Sequence, residues 1–310
     1  MTALQTSEKE TDTRVYGICD PEGLHRQLAG WNQRRLAPAA PTAAWEDHLR
    51  EDHRMQWLEG VWIETLRGEV AARAAAAPTD VDGFVAWFEA LKTSGPGQGD
   101  PLFDWLARDA DVDAMKWFLS QEAAGEAGFD DLVALSQIKA PVQAKLELAR
   151  NYWDEMGRGS EGGMHGPMLE RATAALGLQP TIDDTVWESL ALANTLTGLA
   201  ATRRYAWHAI GALGVVELTA PTRVALVARG LKRLDQPPAV RKYFELHAML
   251  DLKHADDWIA NVLQPLVSQD PSRARFLAEG ALIRLICGER CFEAYRGVLW
   301  SSPAMRIAAE

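Results

Sequence analysis

The stretch YFELHAMLDLKHADDW, residues 243–258, places His247, Asp251 and His254 at i, i+4 and i+7. No glycine or proline interrupts it, and its residues favour a helix. At 3.6 residues per turn the three side chains fall within about 60° of arc and about 10 Å of rise, so all can reach one cavity. Imidazole and carboxylate are common ligands of iron, manganese and zinc. Leu246, Met249 and Leu250 border the stripe, while Lys253, Asp256 and Asp257 take its more exposed faces. A solvated polar face is the plainer reading of such a pattern. Burying an aspartate and two histidines without partners is costly, however, and a metal cation removes that cost.

A metal held there needs carboxylates from other helices. Glu122 lies in MKWFLSQEAAGEAGFDDL, with Glu126 one turn further on. Glu155 and His165 bracket the glycine-rich turn in NYWDEMGRGSEGGMHG, and Glu217 ends the apolar run AIGALGVVE. Each, taken singly, reads as a helix-end or surface charge. Together with the stripe they make four carboxylates and three imidazoles, the inventory of a dinuclear iron site inside a helical bundle.

The elements that must carry these residues are helical throughout. Apolar periodicity predicts helices over about 23–36, 43–77, 102–108, 111–137, 142–156, 165–176, 183–200, 203–217, 221–233, 237–265 and 271–297. The breaks PAAPTAA, TSGPGQGDP, MGRGSEGG, LGLQPT, LTAPT, LDQPP and SQDPS are rich in the residues that end helices. Period-2 patterning is confined to a short possibility at Arg14–Cys19. The fold class is therefore all-α. The loop at 93–101 divides an N-terminal helical extension, residues 1–95, from a main domain at 96–310.

Composition narrows the function. The chain has 310 residues, 47% of them hydrophobic, and a net charge of −11. Such an acidic balance argues against nucleic acid as a partner. Runs such as ALVARGL are too short or interrupted to predict a membrane span. The polar start MTALQTSEKETDT lacks an apolar signal core, so a cytoplasmic location is expected. Cys19, Cys287 and Cys291 form no disulfide framework and no zinc motif. No phosphate loop and no nucleophile elbow is present.

The order Glu122, Glu155, His165, Glu217, His247, Asp251, His254 resembles that of the heme-oxygenase-like diiron oxidases and oxygenases, often labelled iron-containing redox enzymes. LELARNYWDEMGRG followed by His165, and GVVELTAP before the 243–258 helix, carry the likeness over about residues 100–300. The resemblance implies a bundle of about seven core helices shaped like heme oxygenase, binding two Fe ions in place of heme. It implies that Glu122, His165, Glu217, His247, Asp251 and His254 are metal ligands. Glu155 matches an additional carboxylate, both ligand and catalytic, of members that oxygenate nitrogen. Glu126 is an alternative to Glu122.

The activity implied is oxygenation of an amine or amino-acid-like small molecule, with O2 as co-substrate and a peroxo-diferric intermediate. An external electron donor would be required, and a homodimer is compatible with the extension. Desaturation or C–C cleavage of a fatty or amino acid, in a pocket formed by Trp153, Tyr205 and Trp207, is the alternative within the same fold. A non-enzymatic helical protein with buried acid–histidine networks is the alternative outside it. His208 is expected in the core, and Arg284 and Arg290 on the surface rather than on a substrate carboxylate.

Overall fold

The computed structural model describes residues 19–301. Helices α1 (Pro21–Leu36), α2 (Trp45–Ala75) and α3 (Val81–Ser94) precede α4 (Pro101–Arg108), α5 (Val112–Gly125) and α6 (Phe129–Ser136). Next come α7 (Val142–Glu155), α8 (His165–Ala175), α9 (Trp187–Ala201), α10 (Ala206–Arg233) and α11 (Pro238–Trp258). A π-helical turn at Ile259–Leu263 leads into α12 (Gln264–Gln269), and α13 (Arg273–Leu299) completes the series. Among the described residues no β-strand forms, as expected of an all-α chain; a single bridge pairs Met156 with Met164. The possible strand at Arg14–Cys19 falls almost wholly outside the described residues.

Local chemistry sets the helix starts. Asp20, Asp80 and Asp111 each accept a hydrogen bond from the backbone N–H three residues on, at 2.8 Å, which satisfies a donor the helix leaves unpaired. Two boundaries differ from the sequence expectation. The segment 111–137 is broken after Gly125, because Ala127 and Gly128 adopt positive φ values of 64° and 70°. Conversely, 203–217 and 221–233 are one helix running through Pro221. A proline lacks the N–H that would bond the carbonyl four residues back, here Glu217. Packing of α10 against α11 and α13 outweighs that local cost. The helix α3, which the periodicity did not predict, is anchored by Phe84 and Phe88, both fully buried.

α10 runs through the middle of the bundle, against α4, α9, α11 and α13. By length and composition the stretch Arg203–Arg233 could cross a membrane; 61% of its most apolar window is buried inside the protein. α10 and α13 cross at backbone contact. A Cβ added at Gly211 would stand 2.0 Å from the Leu277 carbonyl oxygen, and one at Gly280 would stand 1.9 Å from that of His208. The N-terminal helices share the same core: Trp31, Trp62, Phe84 and Phe88 belong to one buried cluster with Phe118 and Leu282. Trp62 Nε1 donates to Thr195 Oγ1 at 2.9 Å, and Arg67 Nε to Glu279 Oε2 at 2.8 Å, tying α2 to α9 and α13.

Candidate metal centre

Helices α7, α8, α10 and α11 bring the site together. Glu155 is the last residue of α7 and His165 the first of α8. The turn between them closes tightly. Gly157 has φ 59°, and a Cβ there would stand 2.3 Å from the Gly163 carbonyl carbon, so only glycine fits. Glu155 Oε2 and His165 Nδ1 approach to 2.7 Å, both side chains almost fully buried. From α10, Glu217 comes within 3.5 Å of His254 Nδ1 on α11.

Two three-residue groups result. Glu155, His165 and His247 offer ligand atoms that lie within 4.8 Å of one another, as do Glu155, Glu217 and His254. Glu155 is common to both. Asp251 is buried between them, and the charges of Glu217 and Glu155 act on it directly. Five of the seven expected ligands thus stand in these groups and a sixth is adjacent. Glu122 belongs to neither group: it accepts a hydrogen bond from Tyr295 Oη at 2.9 Å and feels the charges of Arg223 and Arg284. Glu126 is electrostatically closer to His165, but its carboxylate accepts from the Gly128 and Phe129 N–H groups at 2.9 and 3.0 Å and caps α6.

The protonation chemistry suits a bound cation. Burial, then the charges of Glu217 and Glu155, push the Asp251 carboxyl up to about 9. Burial and the neighbouring His165 hold His247 down at about 3. Burial works against charge on His254, yet Glu217, Asp154 and Asp251 together raise it to about 9. Three buried carboxylates in one place repel unless protons or a cation neutralise them. His165 Nδ1, Asp251 Oδ1 and His254 Nδ1 are all buried without a hydrogen-bond partner. For His165 and His254 this holds although carboxylate oxygens stand at 2.7 and 3.5 Å. Carboxylate oxygens and imidazole nitrogens are the donor set that iron takes.

Neighbours fix the ligand orientations. The His247 Nδ1–H donates to the Tyr243 carbonyl at 2.8 Å, leaving Nε2 free. Asp154 Oδ2 sits 3.3 Å from His254 Nε2, so Nδ1 is the nitrogen that faces Glu217. Asn151 Nδ2 donates to Glu217 Oε1 at 2.6 Å. These are the outer contacts that set ring tautomer and carboxylate rotation at metal sites. Sequence reasoning missed Asp154 and Asn151; Asn151, one turn before Glu155 on the same face of α7, carried a readable signal.

Beside the centre lies a cavity of about 170 Å³. Glu155, Glu217, His247 and Asp251 face it together with Phe118, Leu119, Phe129, Leu192, Leu196 and Phe244. The aromatic residues expected to form it do not. Trp153 is exposed, Tyr205 donates to Glu64, and Trp207 packs under Arg273. His208 is buried at 2.9 Å from Glu279 Oε2, as a core residue. Arg290 pairs with Glu69, whereas Arg284 faces the cavity and not the surface.

An all-α bundle enclosing a mixed carboxylate–imidazole cluster offers the ligand set of a metal centre. The chain belongs to the iron-containing redox enzyme family, whose pattern matches residues 116–289. Its fold is also that of a CADD-like protein of unknown function from Nostoc punctiforme PCC 73102. The two superpose with a TM-score of 0.54 at 17% identity, covering 72% of this chain and 97% of the other. No curated protein matches the chain.

Proposed function

We propose that this protein is a non-heme diiron oxygenase that inserts one atom of O2 into the amine of an amino-acid-like metabolite. The observation that carries the reading is the sharing of Glu155 between the two ligand groups. A carboxylate common to two ligand groups suits a position between two metal ions. Glu155, His165 and His247 would hold one iron and Glu155, Glu217 and His254 the other, with Asp251 beside both. The iron pair supplies the electrons that activate O2.

The remaining work falls to the chain. Asp154 and the Tyr243 carbonyl hold the His254 and His247 rings in the orientation that presents one nitrogen inward. Asn151 holds one Glu217 oxygen and leaves the other toward His254. Phe118, Phe129, Leu192 and Phe244 keep the cavity apolar and limit water beside the centre. In balance, an amine N–H becomes N–OH while the second oxygen atom leaves as water. That water takes two protons, and an external reductant provides the two electrons.

The test is reconstitution with Fe(II) under argon, followed by O2, a reductant and a panel of amino acids and amines. A product heavier by one oxygen atom, labelled from 18O2, supports the reading. Iron loading without any labelled amine product sinks the nitrogen chemistry. The apolar lining favours a second reading, desaturation or C–C cleavage of a carboxylic acid, which the same assay detects as loss of hydrogen or of carbon.

A further inference from the structure

The cavity beside the metal cluster has a second charged end. Arg223 of α10 and Arg284 of α13 both line it. Arg223 follows Glu217 by six residues on the same helix, a rise of about 9 Å. Apolar side chains, Leu119, Leu192, Leu196 and Val224 among them, also line it.

These two guanidiniums are poorly compensated. Among the described residues neither lies within ion-pair distance of a carboxylate, and Glu122 is the acid whose charge they share. Arg223 makes only long contacts to Gln98 Oε1 at 3.3 Å and Thr219 Oγ1 at 3.4 Å, and packs against the Phe103 and Phe292 rings. Arg284 Nε is buried with no hydrogen-bond partner. Gly288 makes space for its head group, since a Cβ there would stand 2.4 Å from Arg284 Nη1. Burial, reinforced by the charge of Arg284, pushes Arg223 down to about 9 against the pull of Glu122. Glu126, Glu155, Glu217 and Asp251 line the cavity as well, but Arg223 and Arg284 share the single carboxylate of Glu122, so a bound anion would satisfy guanidinium donors that this pairing leaves free. A planar, forked donor pair suits a carboxylate.

We propose that Arg223 and Arg284 form a carboxylate-binding site that anchors the acid end of the substrate, leaving its far end at the Glu155–Glu217–His247 side. The ligand class is a monocarboxylic acid with an apolar stem of several carbons, and an amine at its far end for the nitrogen chemistry. The role of the far end rests on the proposed function, but the anchor does not.

Binding decides it without turnover. Hexanoate, ε-aminocaproate and hexylamine are titrated by calorimetry into the full-length chain under argon, both as purified and loaded with Fe(II). Hexanoate and ε-aminocaproate are expected to bind and hexylamine is not. Arg284→Met and Arg223→Gln should each weaken hexanoate roughly ten- to hundredfold, the value of a charge-assisted hydrogen bond, with Arg284→Lys between them and the native protein. Should a variant fail to fold, the contrast between hexanoate and hexylamine in the native chain still decides. Equal binding of both, no binding of either acid, or hexanoate affinity unchanged in both folded variants overturns the anchor. Acid binding that depends on the arginines, with no labelled product in the oxygenation assay, keeps the anchor and removes the nitrogen chemistry.

Discussion

Glu155 Oε2 lies 2.7 Å from His165 Nδ1 although the two stand ten positions apart in the chain. The glycine turn between the two helices exists to bring these atoms together, and each also faces a further imidazole or carboxylate. Removing Glu155 therefore differs from removing any other acid of the site. After anaerobic reconstitution, Glu155→Ala should lose iron from both positions. Glu122→Gln, which touches neither group, should load as the native protein does. Equal iron content in native and Glu155→Ala protein, measured by optical emission, contradicts the shared position.

Asp154 acts on the centre only through the His254 ring. Its replacement by alanine frees that ring to turn, and outer contacts of this kind are worth about 10- to 100-fold in metal affinity. A competition titration with a coloured chelator should show a weaker Fe(II) site at unchanged helix content. An unaltered affinity would mean that packing alone orients His254.

The crossing of α10 and α13 positions Glu217 and Arg223 on one helix against Arg284 on the other. Gly280→Ala places a methyl group 1.9 Å from the His208 carbonyl oxygen, where backbone must yield. Destabilisation of roughly 3 kcal/mol is expected from such overpacking. Urea denaturation reads it, and Gly297→Ala in the same helix, where nothing stands within 4 Å, is the control.

His25 is buried between Trp62 and Trp187, and burial, then the charge of Arg290, hold it at about 3 against 6.5 in a free chain. Between those values the unfolded chain binds the proton and the folded chain does not. The contribution of this group is therefore steady above pH 6.5 and falls as pH drops, by up to about 1.4 kcal/mol per pH unit. His25→Phe should flatten that slope in denaturation series at pH 7, 6 and 5. Parallel slopes would assign the acid sensitivity elsewhere.

The 243–258 stripe was legible because helical periodicity is local: spacing alone puts His247, Asp251 and His254 on one face. The Glu155–His165 pair was equally legible, since a short turn between two helices leaves little freedom in where their ends meet. The helix breaks were less so. Pro221 signals a stop, but the burial of α10 on its neighbours overrides a single lost hydrogen bond. Gly128 alone gave a weak sign of the break that turns Glu126 into a cap.

What the sequence determined by itself is the all-α class and the family, because each depends on periodicity or on order along the chain. The tertiary structure decided the sharing of Glu155 between two groups and the hydrogen bond of Glu122 with Tyr295. It also decided the meeting of Arg223 with Arg284 in one cavity. Those are distances between side chains of helices far apart in sequence. They follow from how closely α10 and α13 pack, which no local pattern records.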